Sequence, residues 1–79
     1  MERQELIEKV NNALAEEFEI EVSDITPDAD IKETLDLDSL SLVDMIALIE
    51  SAFGVEIKGQ DITSIKTFEI LYNFIEERL

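Results

Sequence analysis

Hydrophobic residues recur at helical spacing in three segments of the chain. Over residues 2–17 they return every three or four positions while glutamates occupy the opposite side, which predicts an amphipathic helix. The same spacing predicts helices over residues 39–53 and 67–78. The predicted core residues are Leu6, Ile7, Val10, Ala13 and Leu14 in the first helix, Leu42, Met45, Ile46, Ile49 and Phe53 in the second, and Phe68, Leu71, Tyr72, Ile75 and Leu79 in the third, with Phe74 at its edge.

Residues typical of helix ends flank the second and third of these segments. Asp38 lies at the N-cap position of the helix over residues 39–53, where its carboxylate can accept hydrogen bonds from free backbone N–H groups. Gly54 follows the last helical residue and is predicted to end that helix. Thr67 can cap the last helix, and a short turn or helix is expected around residues 59–64.

The segment between the first two helices has no clear periodicity. Phe18, Ile20 and Val22 alternate with glutamates as in a strand, but no second alternating run exists to pair with it, so we expect a loop that packs these residues inward. Pro27 excludes a continuous helix, and a long connection is predicted. Its predicted anchors are Ile25, Ile31 and Leu35. A connection this long in a small domain is often functional.

These elements predict one all-α domain over residues 1–79, a bundle of three longer helices and one short helix. A fold of alternating strands and helices is excluded because the strands are missing. With 46% hydrophobic and 33% charged residues, the chain has the composition of a folded domain. It contains no cysteine, so its stability must come from helix packing.

Acidic residues dominate the charge of the chain. Six basic residues against twenty acidic ones give a net charge of −14, which disfavours binding to nucleic acid or to an anionic membrane and favours basic protein partners. No lysine or arginine lies between Lys32 and Lys58, so the negative potential should be strongest there. Salt should weaken the attraction of basic partners. The alternative interpretation is that the charge serves solubility alone.

Neither a membrane span nor a metal site is predicted. No apolar run approaches the roughly 18 residues of a transmembrane helix, and no apolar signal segment follows Met1, so we expect a cytoplasmic protein. A calcium loop of the EF-hand type beginning at Asp28 would place Glu33 where glycine is required and Ser39 where the bidentate glutamate belongs. Loose divalent binding by Asp36, Asp38 or Asp44 stays open.

Ser39 stands at the start of the second predicted helix in an acidic setting. Nucleophilic catalysis by a serine requires a nearby base, and the chain has no histidine, so we expect no enzymatic activity. Backbone N–H groups and the positive end of the helix dipole would instead favour a negatively charged group on the hydroxyl, by about 0.3–1 kcal/mol at an exposed site. The alternative is that Ser39 is an ordinary first-turn residue.

The residues around Ser39 resemble the attachment motif of acyl carrier proteins. Leu35 to Leu40 is similar to the family pattern Asp-Leu-Gly-x-Asp-Ser-Leu, and the similarity extends to residues 53–57 and 65–68, the chain length and the acidic balance. The resemblance implies the acyl-carrier type of four-helix bundle. It also implies that Ser39 carries 4'-phosphopantetheine, that Asp38 and Leu40 belong to the cofactor-binding site, and that Asp38 assists recognition by the transferase that attaches the group. The partner contacts implied by the resemblance are Asp36, Leu40, Val43, Asp44, Ala47 and Glu50.

The function implied by this resemblance is transport of acyl intermediates as thioesters, in fatty acid or related lipid biosynthesis. The implied partners of a monomeric carrier are a phosphopantetheinyl transferase and basic-surfaced synthases, transferases and reductases. The apolar helix faces could line a cavity for the acyl chain.

Three positions depart from the family pattern. Asp36 replaces its glycine, Ala47 replaces a frequent methionine, and Glu50 is followed by Ser51 and Ala52 where acidic residues are usual. A specialised carrier for polyketide, nonribosomal peptide or aminoacyl transfer therefore competes with the fatty acid role. An unmodified acidic helical module that binds a basic partner is the hypothesis from another class.

Overall fold

The computed structural model describes residues 2–79, and helices are its regular elements. They are α1 (Arg3–Phe18), a 3-10 turn (Val22–Asp24), α2 (Ile31–Leu35), α3 (Ser39–Phe53), α4 (Gly59–Ile62) and α5 (Phe68–Arg78). The predicted all-α bundle with three long helices is confirmed, and each long helix begins and ends within one residue of its predicted bounds. None of the helices within residues 2–79 is long and apolar enough to cross a bilayer.

The core lies between α1, α3 and α5, with contributions from the connections. Its buried residues are Leu6, Val10, Leu14, Ile25, Ile31, Leu35, Met45, Ile49, Val55, Ile57, Phe68, Leu71, Tyr72 and Ile75. Leu42, Ile46 and Phe53 pack against this core while staying partly exposed. The prediction that Leu79 belongs to the core is wrong, because it lies beyond the last residue of α5 and is 54% exposed.

Helix α3 is held at its C-terminal end by a residue of α1. The Lys9 ammonium donates a hydrogen bond to the carbonyl oxygen of Ala52 at 3.0 Å and lies 4.8 Å from the centre of the Phe53 ring. A cation at this position also meets the negative end of the helix dipole. Gly54 follows with a positive φ of 69°, which confirms the predicted helix stop.

The connection over residues 19–38 is more ordered than predicted. Its anchors Ile25, Ile31 and Leu35 are buried as expected. The inward packing predicted for Val22 is wrong, since the 3-10 turn replaces the strand-like alternation and leaves this side chain 43% exposed. Helix α2 was missed because five residues are too few to show a period. Its sequence signal is Asp30, whose carboxylate caps the helix by accepting from the N–H of Glu33 at 3.0 Å.

Backbone hydrogen bonds fix α2 against the beginning of α5. The N–H of Ile31 donates to the carbonyl oxygen of Lys66 at 2.9 Å, and the N–H of Glu69 donates to that of Pro27 at 3.0 Å. Asp30 and Thr67 form an isolated antiparallel bridge between the same segments. These contacts hold α2, which ends at Leu35, only a short turn before α3 begins at Ser39.

Candidate functional site

Asp38 organises the first turn of α3. Its backbone is extended, and its Oδ1 accepts a hydrogen bond from the N–H of Ser41 at 2.8 Å, which confirms the predicted N-cap. This backbone hydrogen bond, with a second one from the Ser41 side chain, holds the pKa of Asp38 below its ordinary value. The carboxylate is therefore ionised at neutral pH and keeps the turn ordered.

Ser39 is the first residue of α3 and is exposed. It borders a surface depression of about 290 Å³, which we call the serine cleft and which is lined by Lys32, Leu37, Asp38, Ser39 and Leu42. The first N–H groups of a helix have no partner within the helix, so an anion attached to the hydroxyl would meet backbone donors and the positive end of the dipole. The cleft gives such a group room on the side of α2.

Asp36 occupies the backbone conformation that favours glycine. It is the C-cap of α2 with φ 53° and ψ 52°, and its N–H donates to the carbonyl oxygen of Lys32. A side chain in this left-handed region is strained, although aspartate tolerates it better than most residues. The glycine of the family pattern at this position is thus explained by the tight turn from α2 into α3. The Asp36 side chain is exposed beside the site.

The predicted contact residues on α3 fall into two groups. Leu40 is 78% exposed and Val43 62% exposed, and Asp44 and Ala47 are exposed beside them, so one apolar face with an acidic edge points away from the core. We call these four residues the α3 outer face. Glu50 differs, because its Oε2 accepts a hydrogen bond from the N–H of Ile57 at 3.0 Å and the residue is partly buried.

Sequence similarity to known proteins identifies the family of this chain. The family model described as "Phosphopantetheine attachment site" matches residues 8–75, which include the whole site. The chain belongs to the acyl carrier protein family. Members of this family are carriers with a phosphopantetheine attachment domain, and 4'-phosphopantetheine is accordingly the prosthetic group of this chain.

Relatives named acyl carrier protein match the chain over almost all of its length. The protein of Petrotoga mobilis is 38% identical over 79 residues, which cover 100% of this chain and 93% of the relative. That of Rubrobacter xylanophilus is 35% identical over 77 residues, or 98% and 95% of the two chains. That of Thermotoga maritima is 34% identical over 77 residues, again 98% and 95%.

An apolar void lies next to the serine cleft in this family member. It measures only about 10 Å³, and its lining includes Leu42, Met45 and Ile46 of α3 together with Ile57, Ile62 and Ile65. The helix stripes alone did not predict the last three residues, which come from α4 and its flanking segments. The void is too small to hold an acyl chain unless its walls separate.

Acidic residues near Ser39 are spread along the surface. In the part of the chain that the structure describes, no three His, Cys, Asp or Glu side chains are grouped so as to hold a metal ion. Loose divalent binding by Asp36, Asp38 or Asp44 stays a prediction that calcium titration of the thermal stability can test.

Proposed function

We propose that Ser39 is the residue to which phosphopantetheine is attached and that the chain carries acyl intermediates in fatty acid or related lipid biosynthesis. The observation that carries the assignment is the position of Ser39. It is exposed, it begins α3 directly after the Asp38 cap, and it borders a cleft large enough for the start of the arm. The residues matched by the family model, 8–75, include Ser39.

In this proposal the protein residues present the attached arm and stabilise its negative charge. We assign no catalytic residue. When bound, the arm supplies a terminal thiol on which an acyl group can be held as a thioester. Asp38 keeps the first turn of α3 ordered through its hydrogen bond to Ser41. The helix N-terminus at Ser39 stabilises the negative charge of the phosphodiester.

We propose the α3 outer face as the contact surface for partner enzymes, in a monomeric carrier of the cytoplasm. A phosphopantetheinyl transferase and acyl synthases, transferases or reductases with basic surfaces fit its chemistry. Leu40 and Val43 supply exposed apolar area and Asp44 supplies negative charge, and the exposed Asp36 adds a second negative charge in the turn before α3. Glu50 is a weaker candidate, because its carboxylate is already engaged with the N–H of Ile57.

A specialised carrier is the second candidate, and three residues favour it. Asp36 introduces strain and charge where the family pattern has glycine. Ala47 reduces the apolar area of the α3 outer face, and Ser51 removes a negative charge from the end of α3. Identification of the thioester on protein purified from its own cells separates a lipid acyl group from an aminoacyl, peptidyl or polyketide group.

Intact-mass measurement after incubation with a phosphopantetheinyl transferase and coenzyme A tests the attachment residue. We expect wild type to gain the mass of one phosphopantetheine and Ser39→Ala to gain none. Ser41→Ala is the matched control, because it alters a serine in the same turn and retains the N–H that Asp38 accepts from; it should be modified. Modification of Ser39→Ala, or an unmodified wild type, would show that the proposal is wrong.

A further inference from the structure

Lys32 of α2 borders three depressions of the surface at once. It lines the serine cleft and the apolar void. It also lines a groove of about 300 Å³, which we call the lysine groove and which is formed by Asp30, Lys32, Ile62, Thr63, Ile65 and Lys66. A lysine has an apolar stem and a charged tip, so one side chain can border both an apolar void and a polar cleft.

The ammonium of Lys32 has no anionic partner within residues 2–79. The ion pairs of this part of the chain join Arg3 to Glu76 and Arg78 to Glu77. Lys32 is exposed, and no basic residue lies between it and Lys58 along the chain, although Lys66 lines the lysine groove beside it. It is therefore the one basic side chain that lines the serine cleft.

Because the residues around Ser39 are acidic, a basic side chain such as Lys32 would affect the stability of a phosphodiester attached there. A phosphodiester on Ser39 carries one negative charge and lies next to the carboxylate of Asp38, with Asp36 nearby in the sequence. These carboxylates repel it, and the backbone donors of α3 offset only part of that repulsion. Because the flexible Lys32 side chain lines the same cleft, its ammonium can supply a charge-assisted contact to that phosphodiester.

We propose that Lys32 is a positioning residue for the prosthetic group and pairs with the phosphodiester on Ser39. This inference rests on the function proposed above, because it requires the arm to be attached to that serine. Pairing there directs the start of the arm between α2 and α3, along the serine cleft. Leu40 and Val43 then stay uncovered on the α3 outer face for partner enzymes.

Lysine labelling of the unmodified and the modified protein tests the contact. Reductive methylation followed by peptide mass spectrometry should label Lys32 about threefold more slowly once the arm is attached, as expected for an exposed ion pair. Lys66 is the matched control, because it lines the lysine groove but not the serine cleft, and its rate should not change. Raising the salt to about 1 M should restore the Lys32 rate, since salt screens an ion pair.

The ³¹P resonance of the modified protein gives a readout that does not depend on labelling. We expect Lys32→Gln to shift this resonance, Lys32→Arg to retain the wild-type position, and Lys66→Gln to leave it unchanged. An attached arm with equal protection of Lys32 and Lys66, or protection that persists at high salt, overturns the role of Lys32 and leaves the attachment at Ser39 intact. Failure of Ser39 to gain the arm overturns both.

Discussion

The Tyr72 hydroxyl of α5 donates a hydrogen bond to the side-chain oxygen of Asn11 in α1, across 61 residues of sequence. Both residues are buried, and Asn11 is the buried polar residue of the described core. A buried polar group is stable only when it is hydrogen-bonded, so each residue requires the other. The pair therefore fixes how α1 and α5 are aligned.

Removal of the Tyr72 hydroxyl should destabilise the fold. Tyr72→Phe leaves the Asn11 oxygen buried without a partner, which should lower the free energy of unfolding by about 1–3 kcal/mol in urea denaturation. Replacement of both residues, Asn11→Leu with Tyr72→Phe, should cost less than the sum of the two single changes. Additive effects in this cycle would contradict the pairing.

The burial of the Tyr72 hydroxyl should make the stability of the protein depend on pH in the alkaline range. Desolvation raises the pKa of Tyr72 above its ordinary 10.0, while the hydrogen bond to Asn11 and the charge of Arg3 act in the opposite direction. The unfolded chain therefore ionises this tyrosine first, and the stability it contributes is present below pH 10 and lost as the pH rises further. The difference in unfolding free energy between wild type and Tyr72→Phe should narrow above pH 10. A constant difference would mean that Tyr72 ionises equally in both states.

Relief of backbone strain at Asp36 should stabilise the protein. Asp36→Gly places the unstrained residue at φ 53° and should raise the free energy of unfolding by about 0.5–1 kcal/mol, whereas Asp36→Ala should lower it. Glu19→Gly is a matched control, because Glu19 has φ 55° at the end of α1, far along the sequence from Ser39. Both glycine variants should raise the thermal midpoint. If only Asp36→Gly alters the rate of phosphopantetheine attachment, the Asp36 turn also affects recognition.

The two possible roles of Glu50 can be separated by two substitutions. Glu50→Gln keeps a side-chain oxygen that can accept from the N–H of Ile57, so its stability should stay within about 0.5 kcal/mol of wild type. Glu50→Ala leaves that part-buried N–H unpaired and should cost about 1 kcal/mol in thermal or urea unfolding. Because both variants lose the charge, equal weakening of partner binding would identify an electrostatic contact. Equal stability of the two variants would contradict a structural role for the hydrogen bond between Glu50 and the N–H of Ile57.

The α3 outer face should be required for modification. Val43→Ala removes exposed apolar area beside Ser39 and should lower kcat/KM of the transferase about three- to tenfold, with little effect on stability. Ile70→Ala is the control, because Ile70 is 39% exposed on α5, outside this face. Equal effects of both substitutions on kcat/KM would show that the α3 outer face is not a contact surface for the transferase.

The sequence predicted those parts of the structure that depend on local spacing. The long helices follow from the recurrence of residues such as Leu6, Val10 and Leu14, and the ends of α3 follow from Asp38 and Gly54. The five residues of α2 were missed, because a helix this short is defined by its Asp30 cap and its contact with Lys66. Such long-range contacts have no periodic signal.

The site follows the same division between local and long-range features. Ser39 could be found from its position after Asp38 at a predicted helix start, and the outward direction of Leu40 and Val43 from the helix period. The hydrogen bond from the N–H of Ile57 to Glu50 could not be predicted, because it depends on the path of the chain after Gly54. The convergence of three depressions on Lys32 depends on the packing of α2 against the rest of the bundle.

The hydrogen bonds on either side of α4 determine which wall of the apolar void can move. The chain is fixed at the Ile57 N–H by Glu50 and at the Lys66 carbonyl by Ile31, while the backbone hydrogen bonds of residues 58–65 are all local. Ile62 and Ile65 belong to this span and face the void. If the interior enlarges to hold an acyl chain, we therefore expect residues 58–65 to move outward. The residues on either side, 57 and 66, stay hydrogen-bonded to α3 and α2, and the long helices need not move.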